Sequence, residues 1–320
     1  MRFAAVFPGQ GSQSLGMLAE LSNEFCEVKD TFEEASDVLN KDLWDMVTAE
    51  ESTDLNKTIN TQPIMLAAGV AVWRIWLAKG GCMPIAMAGH SLGEYSALVA
   101  SGSLDYKDAV KLVAQRALLM QQAVPEGSGG MAAILGLDDD EIIKICADLS
   151  GKSGGAKEEK GIVEAVNFNS PGQVVIAGDK SMVETAIKIL TEAGAKRAIP
   201  LPVSVPSHCS LMKPAADKLN ESLMMTSFVE PQYPVLQNVG ATSYKSADDK
   251  RSALANQLHK PVLWVDTINS LEANHSADTI IEFGPGKILF GLNRRINRKL
   301  GNICISDLVS LDKALEMCTA

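Results

Sequence analysis

Ser91 stands in the pentapeptide Gly89-His90-Ser91-Leu92-Gly93, and this spacing of residue types is where the sequence first reads as chemistry. A serine hydroxyl is a poor nucleophile until it is lifted out of regular backbone and set beside a base. Glycines two residues to either side let neighbouring chain come close and tolerate a strained turn around the serine. The apolar run Ile85–Ala88 before it reads as a buried strand, and Glu94–Ala100 after it as a small-residue helix. Such a helix aims unpaired N–H groups and its positive end at developing negative charge, which makes the Leu92 N–H a candidate oxyanion donor. The pattern by itself also fits an ordinary strand-to-helix turn with serine as N-cap. The flanking strand and helix favour the catalytic turn.

A nucleophile needs a base, and the chain has four histidines: His90, His208, His259 and His275. His90 adjoins the serine, from where its ring points away, and it reads as structural. His275 lies in a polar, exposed stretch, and His259 ends a helix before Lys260-Pro261, where it can cap carbonyls. His208 follows an extended segment broken by Pro206, where one part of the chain rejoins another. Clefts lie at such junctions, so position favours His208 as the base.

Arg116 is the other unexpected residue. Leu112, Val113, Leu119 and Met120, one turn away on either side, are all apolar. A guanidinium in such a stripe either snorkels to the surface or meets a buried anion. If it reaches the serine's cleft, it implies a carboxylated substrate, because the planar fork matches a carboxylate bidentately.

The elements that must position these groups divide the chain in two. Arg2–Phe7 reads as a strand followed by the glycine-rich turn Pro8–Gln13, which either presents backbone N–H groups or is a tight connection. Residues 22–58 read as helical with Phe25, Phe32, Leu39, Leu43 and Trp44 buried. Thr61 is then expected to cap a helix with Pro63 in its first turn, and this whole part reads as scaffold. A helix follows from Leu104-Asp105 to Ala123. Between 127 and 202 the predicted order is β-α-β-β-α-β, a ferredoxin-like subdomain inserted into the main α/β domain. Within it Ser150–Gly161 reads as a flexible surface loop, and its Gly151-Lys152-Ser153 is no phosphate-binding loop. The fold expected is an α/β-hydrolase-like domain (1–126 and 203–320) with a parallel sheet and nucleophile elbow, carrying the inserted subdomain (127–202).

Composition sets the limits. The chain of 320 residues is 46% hydrophobic and 21% charged, enough for a large core. A net charge of −10 speaks against broad attraction to nucleic acid or anionic membrane. The six cysteines are scattered without metal-ligand spacing and read as reduced thiols, so no metal is expected. The N-terminus lacks a signal or transit pattern. The longest apolar helix, Ile64–Trp73, reads as too short to span a bilayer. A cytoplasmic, monomeric protein is expected.

FPGQGSQ, GHSLGEYSALVASG, NFNSPGQVVIAG, VPSHCSLM, Gln257 ahead of PVLW, and EFGPGKILFGLNRRI occur in this order. Together they make the chain resemble the malonyl-CoA:acyl carrier protein transacylases of bacterial fatty-acid synthesis, from Phe3 to about Ile296. The resemblance implies that Ser91 takes the malonyl group from coenzyme A as an ester and passes it to the phosphopantetheine thiol of holo acyl carrier protein. It further implies His208 as base and then acid, with Gln257 offering a side-chain or backbone oxygen in place of the usual carboxylate. Gln10 and the Leu92 N–H would bind the oxyanion, and Arg116 the malonyl carboxylate. No cofactor is implied beyond the coenzyme A thioester substrate. The length of the 150–161 loop and the residues His259, Lys260 and Leu263 depart from the family pattern and bear on carrier or coenzyme contacts. The basic helix with Arg294, Arg295, Arg298 and Lys299 either attracts an acidic carrier or is a solvated face. Two rival readings remain: a thioesterase or esterase with water as acceptor, and a stand-alone acyltransferase serving a polyketide pathway.

Overall fold

The computed structural model describes residues 1–51, 54–151, 161–203 and 205–319. Among them ten strands form two sheets: Phe3–Phe7 (β1), Ala86–Gly89 (β2), Gly129–Leu135 (β3), Val163–Ser170 (β4), Gln173–Asp179 (β5), Arg197–Pro200 (β6), Val235–Gln237 (β7), Thr242–Ser243 (β8), Thr279–Phe283 (β9) and Gly301–Ile305 (β10).

The larger sheet has the order β10-β9-β1-β2-β7-β8, parallel throughout except for the β7–β8 edge pair. Every residue of β1, β2 and β9 is buried, which is why β1 and β2 are continuous apolar runs rather than alternating ones, while β9 buries Thr279 and Glu282 among apolar residues. Alternate residues of β1 enter two cores. Phe3, Ala5 and Phe7 pack on one face with Trp73, Trp76 and Phe283, while Ala4 and Val6 pack on the other with Leu236, Trp264 and Ile268. The centre of this sheet ends at the serine turn, because β2 pairs with β1 up to Phe7↔Gly89.

The second sheet has the order β4-β5-β3-β6 and is antiparallel throughout. The helices Asp139–Leu149 and Lys180–Glu192 bury Ile142, Cys146, Met182, Val183, Ala186 and Leu190 in its core. The β-α-β-β-α-β succession read from the sequence is therefore the one observed. The two bodies are stitched by backbone: Val262 N–H donates to Val166 O at 2.8 Å and Phe168 N–H to Val262 O at 3.0 Å.

Several expectations need correction. Residues 22–58 are helical as read, in the helices Ala19–Glu24, Cys26–Leu39 and Leu43–Thr48 and the short turn Asp54–Asn56, with Asn40 in the left-handed region (φ 49°) ending the second, but of the expected buried set Phe25, Leu39 and Trp44 are only half-buried. Thr61 does not cap the next helix, which runs from Thr58 to Ala78 with Pro63 inside it. Its hydroxyl donates instead to Leu55 O at 2.6 Å and Lys57 O at 3.1 Å, tying the helix to the preceding turn. At 21 residues this helix is long and apolar enough to cross a bilayer, contrary to the sequence reading, but 83% of its most apolar window is buried within the protein. Not all cysteines are reduced: Cys82 and Cys318 form a disulfide, with Cα atoms 5.6 Å apart, while the other four are free thiols. Of the surface loop expected at Ser150–Gly161, residues 152–160 lie outside the described residues.

Candidate active site

The site begins with two glycines that nothing else could replace. A Cβ on Gly89 would lie 1.9 Å from the Gly93 carbonyl carbon, and one on Gly93 would lie 2.1 Å from Phe7 O. The chain therefore turns against itself between β2 and the helix Gly93–Ala100, and Ser91 at the apex is held at φ 51°. Left-handed backbone costs a residue with a side chain on the order of 1–3 kcal/mol. Asn238 offsets part of this cost. Its Oδ1 accepts from Ser91 N–H at 2.7 Å and its Nδ2 donates to Gly89 O at 2.6 Å, bracing both sides of the turn.

His208 arrives from the other side, between β6 and the turn Ser210–Met212, and is also left-handed (φ 67°). Its Nε2 lies 2.7 Å from Ser91 Oγ, and its Nδ1 lies 2.6 Å from the backbone carbonyl of Gln257. A carbonyl can only accept, so Nδ1 carries the proton and Nε2 presents its lone pair to the serine hydroxyl. Burial, aided by the positive charge of Arg116, pushes the His208 pKa down to about 3. The imidazole is thus neutral, the state a base requires.

Arg116 settles the alternative left open by its sequence: it is 1% exposed and turned inward. Its Nη1 donates to Gln62 Oε1 at 2.7 Å, while Nη2 reaches Gln257 Oε1 at 2.9 Å and Ser91 Oγ at 3.3 Å. Burial lowers its pKa, and Tyr95 and Glu94 oppose that shift. Gln257 does not touch the histidine through its side chain, which instead links Arg116 to Ser91 O and Glu94, both at 2.9 Å. Only its backbone oxygen orients His208.

Gln10, Ser91, Leu92, Arg116 and His208 line one cleft of about 120 Å³, together with Thr58, Gln62 and residues of the second sheet including Met131 and Asn167. Gln257 lies behind its wall. Gln10 Nε2 donates to Thr58 Oγ1 at 3.3 Å. His90 also borders the cleft, but its Nε2 is paired with Asn169 Oδ1 at 2.8 Å and its ring stacks edge-on to Trp264, which agrees with a structural role. The helix expected to be mere scaffold contributes Thr58 and Gln62. Sequence reasoning missed Gln62, Glu94 and Asn238; the available signal was polarity in runs that are otherwise apolar and buried.

A neutral base on a serine, beside an inward guanidinium, can move an acyl group and can favour one that carries a carboxylate. The profile of the family described as acyl transferase domain matches residues 5–291, which defines the class. The malonyl CoA-acyl carrier protein transacylase of Salmonella typhimurium is 50% identical over 98% of this chain and 99% of its own length. An acyl carrier protein S-malonyltransferase structure from Vibrio cholerae superposes with a TM-score of 0.92 at 51% identity, covering 98% of this chain and 99% of that one. A malonyl-transacylase solved in complex with its type II PKS acyl-carrier protein gives 0.95 at 51% identity, covering 99% and 100%. The chain belongs to the malonyl CoA-acyl carrier protein transacylase family.

Proposed function

We infer that this enzyme transfers a malonyl group from malonyl-CoA to the phosphopantetheine thiol of holo acyl carrier protein, supplying fatty-acid elongation. The observation that carries the reading is the meeting of three groups at one oxygen: Ser91 Oγ lies 2.7 Å from His208 Nε2 and 3.3 Å from Arg116 Nη2. In the first half-reaction the Ser91 proton passes to His208 Nε2 as Oγ attacks the thioester carbon. The tetrahedral oxyanion is held by Gln10 and the Leu92 N–H, and Arg116 pairs with the malonyl carboxylate. Collapse breaks the C–S bond, and the imidazolium returns its proton to the departing thiolate. The carrier's thiol then attacks the malonyl-serine ester by the same steps in reverse, a ping-pong cycle. The Gln257 carbonyl keeps His208 in the required tautomer, the part that a carboxylate plays in the usual triad. Coenzyme A enters as substrate, and the reaction calls for no prosthetic group.

The fold reading belongs with this one. The parallel order β9-β1-β2-β7, with Ser91 at the turn after β2, supports an α/β-hydrolase-like domain with a nucleophile elbow (1–126 and 203–320). The antiparallel order β4-β5-β3-β6 with two helices supports a ferredoxin-like insertion (127–202). A cytoplasmic monomer completes the proposal. A second reading, delivery to a polyketide carrier, is favoured by the relative solved with a type II PKS acyl-carrier protein.

Intact-protein mass spectrometry after brief exposure to malonyl-CoA, with a Ser91→Ala control, tests the reading. The expected result is a malonyl adduct on wild type alone that holo acyl carrier protein discharges. An adduct that decays equally fast without carrier identifies a hydrolase and overturns the transfer.

A further inference from the structure

Glu94 is fully buried, one turn beyond the serine, and takes no part in the steps above. Its Oε2 accepts from Asn238 N–H at 2.8 Å and Gln257 Nε2 at 2.9 Å, and its Oε1 from Gln237 Nε2 at 2.7 Å. The Gln257 amide orientation is fixed by its other partners. Gln257 Oε1 must accept from the Arg116 guanidinium, and its Nε2 also donates to the Ser91 carbonyl. Gln237 Nε2 also donates toward Lys250 O at 3.4 Å. Among the described residues the groups bonded to Glu94 are all donors, an environment that fits the carboxylate.

A buried anion and a buried cation are thus joined through one amide: Glu94, Gln257, Arg116. Burial raises the Glu94 pKa, and Arg116 works against that shift, as Glu94 does for Arg116. Each charge lessens the cost of burying the other. The same carboxylate holds Asn238, which braces the serine turn.

We propose that Glu94 is a positioning residue for donor selectivity: it fixes the Gln257 amide so that the Oε1 face meets Arg116 and holds the guanidinium toward Ser91 Oγ. Without it the Gln257 amide is free to turn and present donors to a donor, and Arg116 loses its aim. The proposal rests on the reading that Arg116 holds the malonyl carboxylate.

The test is the ratio of kcat/KM for malonyl-CoA to that for acetyl-CoA, measured with holo acyl carrier protein, in wild type, Arg116→Ala and Glu94→Gln. Glu94→Gln is nearly isosteric but withdraws the negative charge and one acceptor oxygen from the donors around it. The expected fall in the ratio is at least about tenfold, the scale of one lost hydrogen bond to a charged group. A merely structural role lowers both donors alike and leaves the ratio where it was, and that outcome overturns the proposal. If Glu94→Gln does not fold, Glu94→Asp keeps the charge and withdraws it by one methylene; a ratio lowered at least about threefold supports the proposal, and an unchanged one overturns it. Arg116→Ala separates the two levels. A collapsed ratio there with none in the Glu94 variants refutes Glu94 alone, whereas an unchanged ratio in Arg116→Ala refutes the carboxylate reading and the Glu94 proposal with it.

Discussion

At the scale of the residue, the unusual feature is a histidine against the serine that is hard to protonate. Burial and the neighbouring Arg116 charge hold His208 down to about 3, against an ordinary imidazole value of 6.5. Its neutral form therefore persists well into acid. We expect single-turnover acylation of Ser91 by malonyl-CoA to change less than about threefold between pH 8 and pH 5.5, where an unperturbed imidazole loses roughly tenfold. A profile bending near pH 6.5 shows that the histidine titrates normally. The residues behind this behaviour were unequally legible. Ser91 announces itself because its turn needs glycines at fixed spacing, and Arg116 because it interrupts an apolar stripe. Gln257 was legible only in part, since the atom that orients His208 is a backbone oxygen, which any residue type supplies. Glu94 and Gln62 show in the sequence only as polar residues in apolar runs; their importance comes from which buried charge stands opposite, a fact of the fold.

At the scale of the element, the site depends on how closely β1, β2 and the helix Gly93–Ala100 approach. A Cβ on Gly93 would meet the Phe7 carbonyl oxygen at 2.1 Å, and backbone in the middle of a sheet cannot yield as a flexible side chain can. Gly93→Ala is expected to destabilise the protein by on the order of 3 kcal/mol and to abolish Ser91 labelling. Gly291 is the internal control: it sits in the helix Ile288–Ile296 with nothing within 4 Å of the added carbon. There alanine is expected to stabilise by about 0.5–1 kcal/mol, because it limits the unfolded chain without strain. Urea denaturation of both variants checks the pair, and equal effects would falsify the close-approach account. Elements were also the best-read level of the sequence. The strands β1 and β2 announced themselves as apolar runs and the β-α-β-β-α-β order of β3–β6 was recovered whole, whereas the strand Gly301–Ile305 went unread. The helix Thr58–Ala78 was misjudged at its start because Thr61, a good capping residue type, spends its hydroxyl on the carbonyls of Leu55 and Lys57.

At the scale of the whole molecule, acid sets two kinds of buried group against each other. His90 and His208 are held below their usual range by burial, so below about pH 6.5 the unfolded chain binds protons there that the native state refuses, and stability falls. Glu282 acts in the opposite sense. It lies at the far side of β1 from the serine turn, buried on β9, where its carboxylate accepts from Leu289 N–H at 3.2 Å and Phe290 N–H at 2.8 Å. Burial outweighs these bonds and pushes its pKa up to about 7, from 4.5. A carboxyl raised on folding contributes stability that is complete below its unfolded pKa and is lost as pH rises through the folded one. Between pH 7.5 and pH 5.5 the native state therefore gains about 1–2 kcal/mol from protonating Glu282, which offsets a comparable loss at His208. Replacing Glu282 by glutamine removes the gain and leaves the loss. The variant is expected to be less stable than wild type at pH 7.5, since one of the two helix N–H donors then faces an N–H. The deficit should widen by about 1–2 kcal/mol at pH 5.5, read from urea midpoints at the two pH values. A deficit that stays constant with pH means that Glu282 remains ionised across the window, and the offset to the histidines must then come from elsewhere in the chain.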